Sequence, residues 1–184
     1  MKRLSLIATA LLFFAVPAFA RSVADVDVPE TLTVEGKSLR CNGAGIRKKI
    51  IIKEYVVALY LESNSTDEHA IFERHRTWAV RMIFLRDVEK EKIVRPFEES
   101  FEKTSRNDAA LQASLDKVAA ALTDVKKGTV MTVSYTPSKG TTVAVQSGPS
   151  VTIEGWRFGF AMLDTWIGHS PLSLWLKREL LEGK

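Results

Sequence analysis

The chain of 184 residues has one cysteine, three histidines and no marked excess of either charge. Cys41 by itself cannot form an intrachain disulfide, so stability must come from packing rather than cross-links. No two of His69, His75 and His169 have the i, i+4 spacing that places two imidazoles on one helical face, and one thiol builds no thiolate site. No metal is therefore expected. A Gly-x-Ser-x-Gly nucleophile elbow is absent. Gly43-Ala44-Gly45 resembles the start of a dinucleotide fingerprint, but Lys48 stands where a third glycine is needed, and a strand pattern follows where a helix should. These glycines read instead as a turn or bulge that supplies positive φ or close backbone approach. No cofactor is expected.

Lys2 and Arg3 precede an apolar run from Leu4 to Phe14, and Ala18-Phe19-Ala20 offers small residues to a signal peptidase. Residues 1–20 are accordingly read as a signal peptide and 21–184 as one domain. Leu4 to Ala20 is about 17 residues, near the lower limit for a membrane span. The expectation is export to a bacterial periplasm, with no stable membrane anchor after cleavage. Setting Lys2 and Arg3 aside leaves 24 cations against 22 anions. A mature charge of about +2 does not point to nucleic acid, which calls for a strongly basic, clustered face.

Arg21 to Glu30 is polar and reads as a flexible lead-in. Thr31 to Val34 and Ser38 to Asn42 are predicted as short strands around a Glu35-Gly36-Lys37 turn. Ile50 to Leu61, rich in Ile, Val and Tyr, predicts a long strand, and the alternation from Trp78 to Leu85 predicts another. Asp67 to His75 is helix-compatible. Ile93, Phe97 and Phe101 recur every four residues, as in an amphipathic helix over Val88 to Lys103. Ser105 and Asp108 have capping-box spacing ahead of a second stripe, Leu111, Leu115, Val118, Leu122 and Val125. Thr129 to Tyr135 and Thr141 to Ser147 flank turn chemistry at Pro137 to Gly140 and predict a hairpin. Val151 to Glu154 adds a strand and Arg157 to Ile167 a helix. Ser170-Pro171 is expected to start a last helix that reaches Leu181. Strands, two helices, strands and two helices in that order predict an antiparallel α+β layer.

The four tryptophans, Trp78, Trp156, Trp166 and Trp175, sit among apolar neighbours and read one at a time as core, or together as the lining of a cavity. Arg47, Lys48 and Lys49 directly precede the apolar run. They are either a solvated strand entrance or a place where Arg47 points inward toward an anion. Arg47 and Tyr55 would share a face of a regular strand but lie about 26 Å apart at ~3.3 Å per residue. For both to touch one head group, the chain must fold back near Lys48 or Lys49.

The stretches NGAGIRKKIIIKEYVVALYLE, GTVMTVSYTPSKGTTVAV and LDTWIGHSPLSLWLKRELL resemble the chalcone isomerase-like family, and most of all its exported bacterial branch. The likeness runs in order from Cys41 to Leu181, with the middle helices matching only in pattern. It implies an open-faced β-sandwich: a large antiparallel sheet with helices layered on one face and a cleft between them. It also implies that Arg47 is the family's site arginine, which stabilises a developing oxyanion in the plant isomerases and holds a carboxylate in the fatty-acid-binding relatives. Tyr55 is the matching tyrosine for the latter role, and Thr165 falls where the plant enzymes keep a hydroxyl.

Tyr55 replaces a smaller threonine of the isomerases, and their middle-helix tyrosine and asparagine have no counterpart here. The leading expectation is thus a non-catalytic protein that binds a fatty acid or similar small apolar carboxylate through Arg47, Tyr55 and Thr165. The alternatives are an isomerase (intramolecular lyase) that closes a chalcone-like enone, with Arg47 and Thr165 catalytic, and a structural envelope protein without a ligand. Protein partners are not indicated.

Overall fold

The computed structural model describes residues 20–104 and 108–182, so the expected signal segment, apart from Ala20, lies outside the described residues. Seven strands form one antiparallel meander in chain order: β3 (Thr31–Val34), β4 (Lys37–Lys49), β5 (Ile52–Leu61), β6 (Trp78–Phe84), β7 (Val130–Thr136), β8 (Gly140–Val145) and β9 (Ser150–Ile153). Short α1 (Glu68–Ile71) joins β5 to β6, while α2 (Lys90–Thr104) and α3 (Ala109–Ala121) lie between β6 and β7. After β9 come α4 (Arg157–Ile167) and α5 (Leu174–Leu181). This is the α+β open-faced sandwich.

Both faces of the central strands are buried. Val57, Leu59, Leu61, Trp78, Val80, Met82 and Phe84 pack under the helices. Val56, Ala58, Tyr60, Ala79 and Ile83 form a second core on the other side. That second core needs a cover, and it corrects the reading of Arg21 to Glu30 as a flexible lead-in. β1 (Ala20–Val23) and β2 (Val26–Pro29) pair as a hairpin, Val28 is buried, and the Tyr60 hydroxyl donates to the Pro29 carbonyl at 2.9 Å. Ala24 and Asp25, both at positive φ, make the two-residue turn.

β4 does not stop at Asn42. A register shift between Cys41 and Gly43 makes Asn42 a bulged residue, and the strand continues through the glycines to Lys49. Neither glycine has positive φ; they allow close approach. A Cβ on Gly43 would collide with the backbone carbonyl of Glu179, and one on Gly45 with the Glu179 side chain and Leu176. α5 therefore lies directly on the backbone of β4, with its start toward the Arg47 end of the strand.

Other boundaries differ for local reasons. β5 begins at Ile52 because Ile50 and Ile51 form the turn from β4. Asp108 itself caps α3, accepting from the Ala110 and Leu111 amides, and Ser105 lies outside the described residues. Val125 leaves the helical stripe to pair with Val88. Ser173, rather than Ser170, caps α5, since the Leu172 amide is already bound to the Thr165 carbonyl. Trp78 and Trp166 are buried, whereas Trp175 is 65% exposed and no part of the core.

Candidate functional site

The two-residue loop at Ile50 and Ile51 decides how Arg47 and Tyr55 stand to one another. The chain folds back there, and Arg47 pairs directly with Tyr55 across the β4–β5 ladder. Directly opposed residues have Cα atoms about 4.5–5.5 Å apart and share a face. The ~26 Å separation of one straight strand becomes a neighbouring pair. The face is the helical one, since Tyr55 packs against the main core.

Arg47 is half-buried, and its Nη1 donates to its own neighbour's carbonyl, Lys48 O, at 2.7 Å. It makes no ion pair among the described residues. Tyr55 meets Phe84 edge-on, ring centroids 5.7 Å apart. Burial pushes the Tyr55 hydroxyl up to about 12, and Glu54 adds to this, while Trp166 and the Arg47 guanidinium oppose it. Tyr55 is thus a neutral donor at physiological pH. Trp166 Nε1 bears on that hydroxyl but has no partner of ordinary hydrogen-bond geometry, although it is buried. Its indole packs edge-on against Phe97 of α2 at 5.4 Å.

Thr165 is fully buried, and its hydroxyl is turned to its own helix, 3.4 Å from the Ala161 carbonyl. Trp166, the next residue, is the α4 side chain that reaches Tyr55. Sequence reasoning missed it because a tryptophan in an apolar helix reads as core, which it also is.

Beside Tyr55 lies a cleft between sheet and helix, walled by Met82 and Phe84 on β6 and by Ile93, Pro96 and Phe97 on α2, with Glu54 and Lys92 as its charged members. Its volume is about 20 Å³, room for roughly one water. Pro96 removes the amide that would bond to the Lys92 carbonyl, so α2 is weakest where it walls the cleft. A second, open cavity of about 750 Å³ shares no lining residue with it. Trp156, Phe160, Arg157, Asp164 and His169 are among its walls. Burial raises the Asp164 carboxyl, against the pull of His169. Residues scattered over α1 to α4 form this cavity, and no local pattern announces it.

The raised tyrosine also has a pH signature. An unfolded tyrosine ionises near 10, whereas folded Tyr55 keeps its proton to about 12. Between those values the unfolded chain binds fewer protons, so stability must fall as pH rises from 10 toward 12. Buried Tyr60 and Tyr135 shift the same way. Denaturant unfolding at pH 8 and pH 11 is expected to show this loss, and Tyr55→Phe to reduce it.

A meander with helices on one face defines a class of open-faced sandwich, in which the arginine–tyrosine pair beside the apolar cleft is a candidate site at the sheet–helix interface. The chain belongs to the chalcone isomerase-like family, whose model matches residues 20–182. Among solved structures, the fold is similar to that of a fatty-acid binding protein from Arabidopsis thaliana. The TM-score is 0.70 at 12% identity, over 89% of this chain and 95% of that one. At that identity the likeness establishes the fold. No curated protein sequence matches the chain.

Proposed function

We propose that this protein binds a fatty acid or similar apolar carboxylate without transforming it, the head group at Arg47 and Tyr55 and the tail in the cleft under α2. The observation that carries this is the half-buried guanidinium of Arg47, which makes no ion pair among the described residues, next to a neutral phenol and a buried indole N–H that lacks a partner of ordinary hydrogen-bond geometry. Guanidinium offers five N–H donors in a fork suited to a carboxylate. Phenol and indole supply further donors, and a buried unpartnered N–H calls for an explanation. The fatty-acid binding neighbour on the same fold supports the reading.

A cleft of about 20 Å³ is far below the ~300–1,000 Å³ of ligand pockets, so the tail enters only as α2 moves off the sheet near Pro96. The reading includes export to the periplasm as a domain beginning at Arg21, which the charged start and Ala18-Phe19-Ala20 support. N-terminal sequencing of the protein from a periplasmic fraction tests that part.

The test of binding is native mass spectrometry with lipid extraction, followed by competition between a fatty acid and its methyl ester. A charge-assisted bond contributes about 1.5–3 kcal/mol, so the wild type should prefer the acid roughly 10- to 150-fold. Arg47→Ala should lose that preference while still binding both. Equal affinity of the wild type for acid and ester would refute the clamp. Arg47-dependent turnover of a chalcone would establish the isomerase reading instead, in which Thr165 must turn its hydroxyl away from Ala161.

A further inference from the structure

The β4–β5 hairpin ends in Lys48-Lys49-Ile50-Ile51-Ile52-Lys53, and this tip is built against the usual rules. Ile50 is 91% exposed and Ile51 87%, with Ile52 also exposed. Ile50 further has φ of +59° at the first position of a two-residue loop. Hairpins ordinarily give that place to glycine, asparagine or aspartate, and a β-branched residue there is strained. The chain thus keeps two fully solvated isoleucines where a polar turn would be both more soluble and less strained. Lys48, Lys49 and Lys53 are exposed and make no ion pair among the described residues. No anion interrupts the six-residue segment.

We propose that this tip docks the protein on an anionic phospholipid bilayer, with Ile50 and Ile51 entering the head-group region and the three lysines on lipid phosphates. The charge pattern favours a bilayer over a protein partner: one sign of charge rings the apolar point, as on segments that bind anionic membrane surfaces. Two side chains at a protruding turn are also far too small for a stable protein interface, which buries about 1,200–2,000 Å². A bilayer needs no matching surface, because its affinity grows with buried apolar area plus the number of cations. The inference does not depend on the ligand reading. If both hold, docking places the Arg47–Tyr55 end of the site at the lipid surface.

The hairpin gives an unusually clean test, since a two-residue loop with positive φ at its first position alone favours glycine there. The double variant Ile50→Gly, Ile51→Asn should be at least as stable as the wild type in urea. It should also bind vesicles of phosphatidylglycerol and phosphatidylcholine at least tenfold more weakly in sedimentation. Changing all three lysines to glutamine should weaken that binding roughly 100-fold, at about fivefold per lysine, and leave phosphatidylcholine-only vesicles unaffected.

Because the N-terminal apolar run could itself bind lipid, a local readout is also required. Ile51→Cys carrying a polarity-sensitive dye should shift to the blue and resist aqueous quenchers on anionic vesicles, whereas Ser138→Cys on the β7–β8 turn should not. Buried Cys41 is shielded from the label. A dye at position 51 that stays in water while the protein sediments with vesicles would overturn the proposal. A concentration-dependent shift without lipid would overturn it too, in favour of a second copy of the chain.

Discussion

Asn42→Ala is expected to lower the unfolding free energy by about 3 kcal/mol, read from equilibrium urea denaturation. The buried amide makes three hydrogen bonds: Nδ2 donates to the Ser65 carbonyl at 2.9 Å and the Leu180 carbonyl at 2.8 Å, and Oδ1 accepts from the Ser65 amide at 2.8 Å. Alanine removes all three bonds and leaves the buried Leu180 carbonyl and the part-buried Ser65 backbone groups without this partner, which costs more than the bonds themselves contribute. The bond to Leu180 also ties the end of α5 to the bulge in β4, so amides of α5 should lose protection from hydrogen exchange first. A loss below about 1 kcal/mol would show that water replaces the amide and that the clasp is dispensable.

Phe97→Ala should act with opposite signs on stability and on binding. Phe97 is buried, packs edge-on against Trp166 and walls the closed cleft, so its truncation should cost about 3–5 kcal/mol. The space it leaves joins the cleft beside Tyr55. If the tail of an apolar acid lodges there, that cavity spares the ligand part of the work of moving α2. Added fatty acid should then raise the melting temperature of Phe97→Ala more than that of the wild type, by mass action on the folded state. An equal rise in both proteins would place the tail elsewhere, with the 750 Å³ cavity beside Trp156 and His169 as the next place to look.

Apolar periodicity located the strands and helices well, because alternation and the four-residue stripe are local consequences of which side chains meet the core. Trp78 to Phe84, the hairpin around Pro137 to Gly140 and the helix Arg157–Ile167 show this. Where a residue's choice depended on a distant neighbour, the reading stayed open or slipped. Gly43 and Gly45 read as a turn or bulge with positive φ or close backbone approach; close approach is the alternative that holds, and the neighbour that requires it, α5, lies some 130 residues later in the chain. Arg21 to Glu30 looked like a tail, but a second apolar face on the sheet recruits it as a hairpin. The candidate site divides in the same manner: Arg47 and Tyr55 carried recognisable motif signals, and Trp166 carried none.

By itself, then, the sequence determined an antiparallel sheet with helices segregated from it, a family likeness from Cys41 to Leu181, and an arginine and a tyrosine of fitting chemistry eight residues apart. Only the tertiary structure decided that those eight residues fold back on themselves, because a turn at Ile50 and Ile51 converts separation along a strand into pairing across a ladder. It also decided that the cleft beside them is closed. Whether apolar walls meet or stand apart depends on how α2, α4 and the sheet pack together, and no short stretch of sequence encodes that distance.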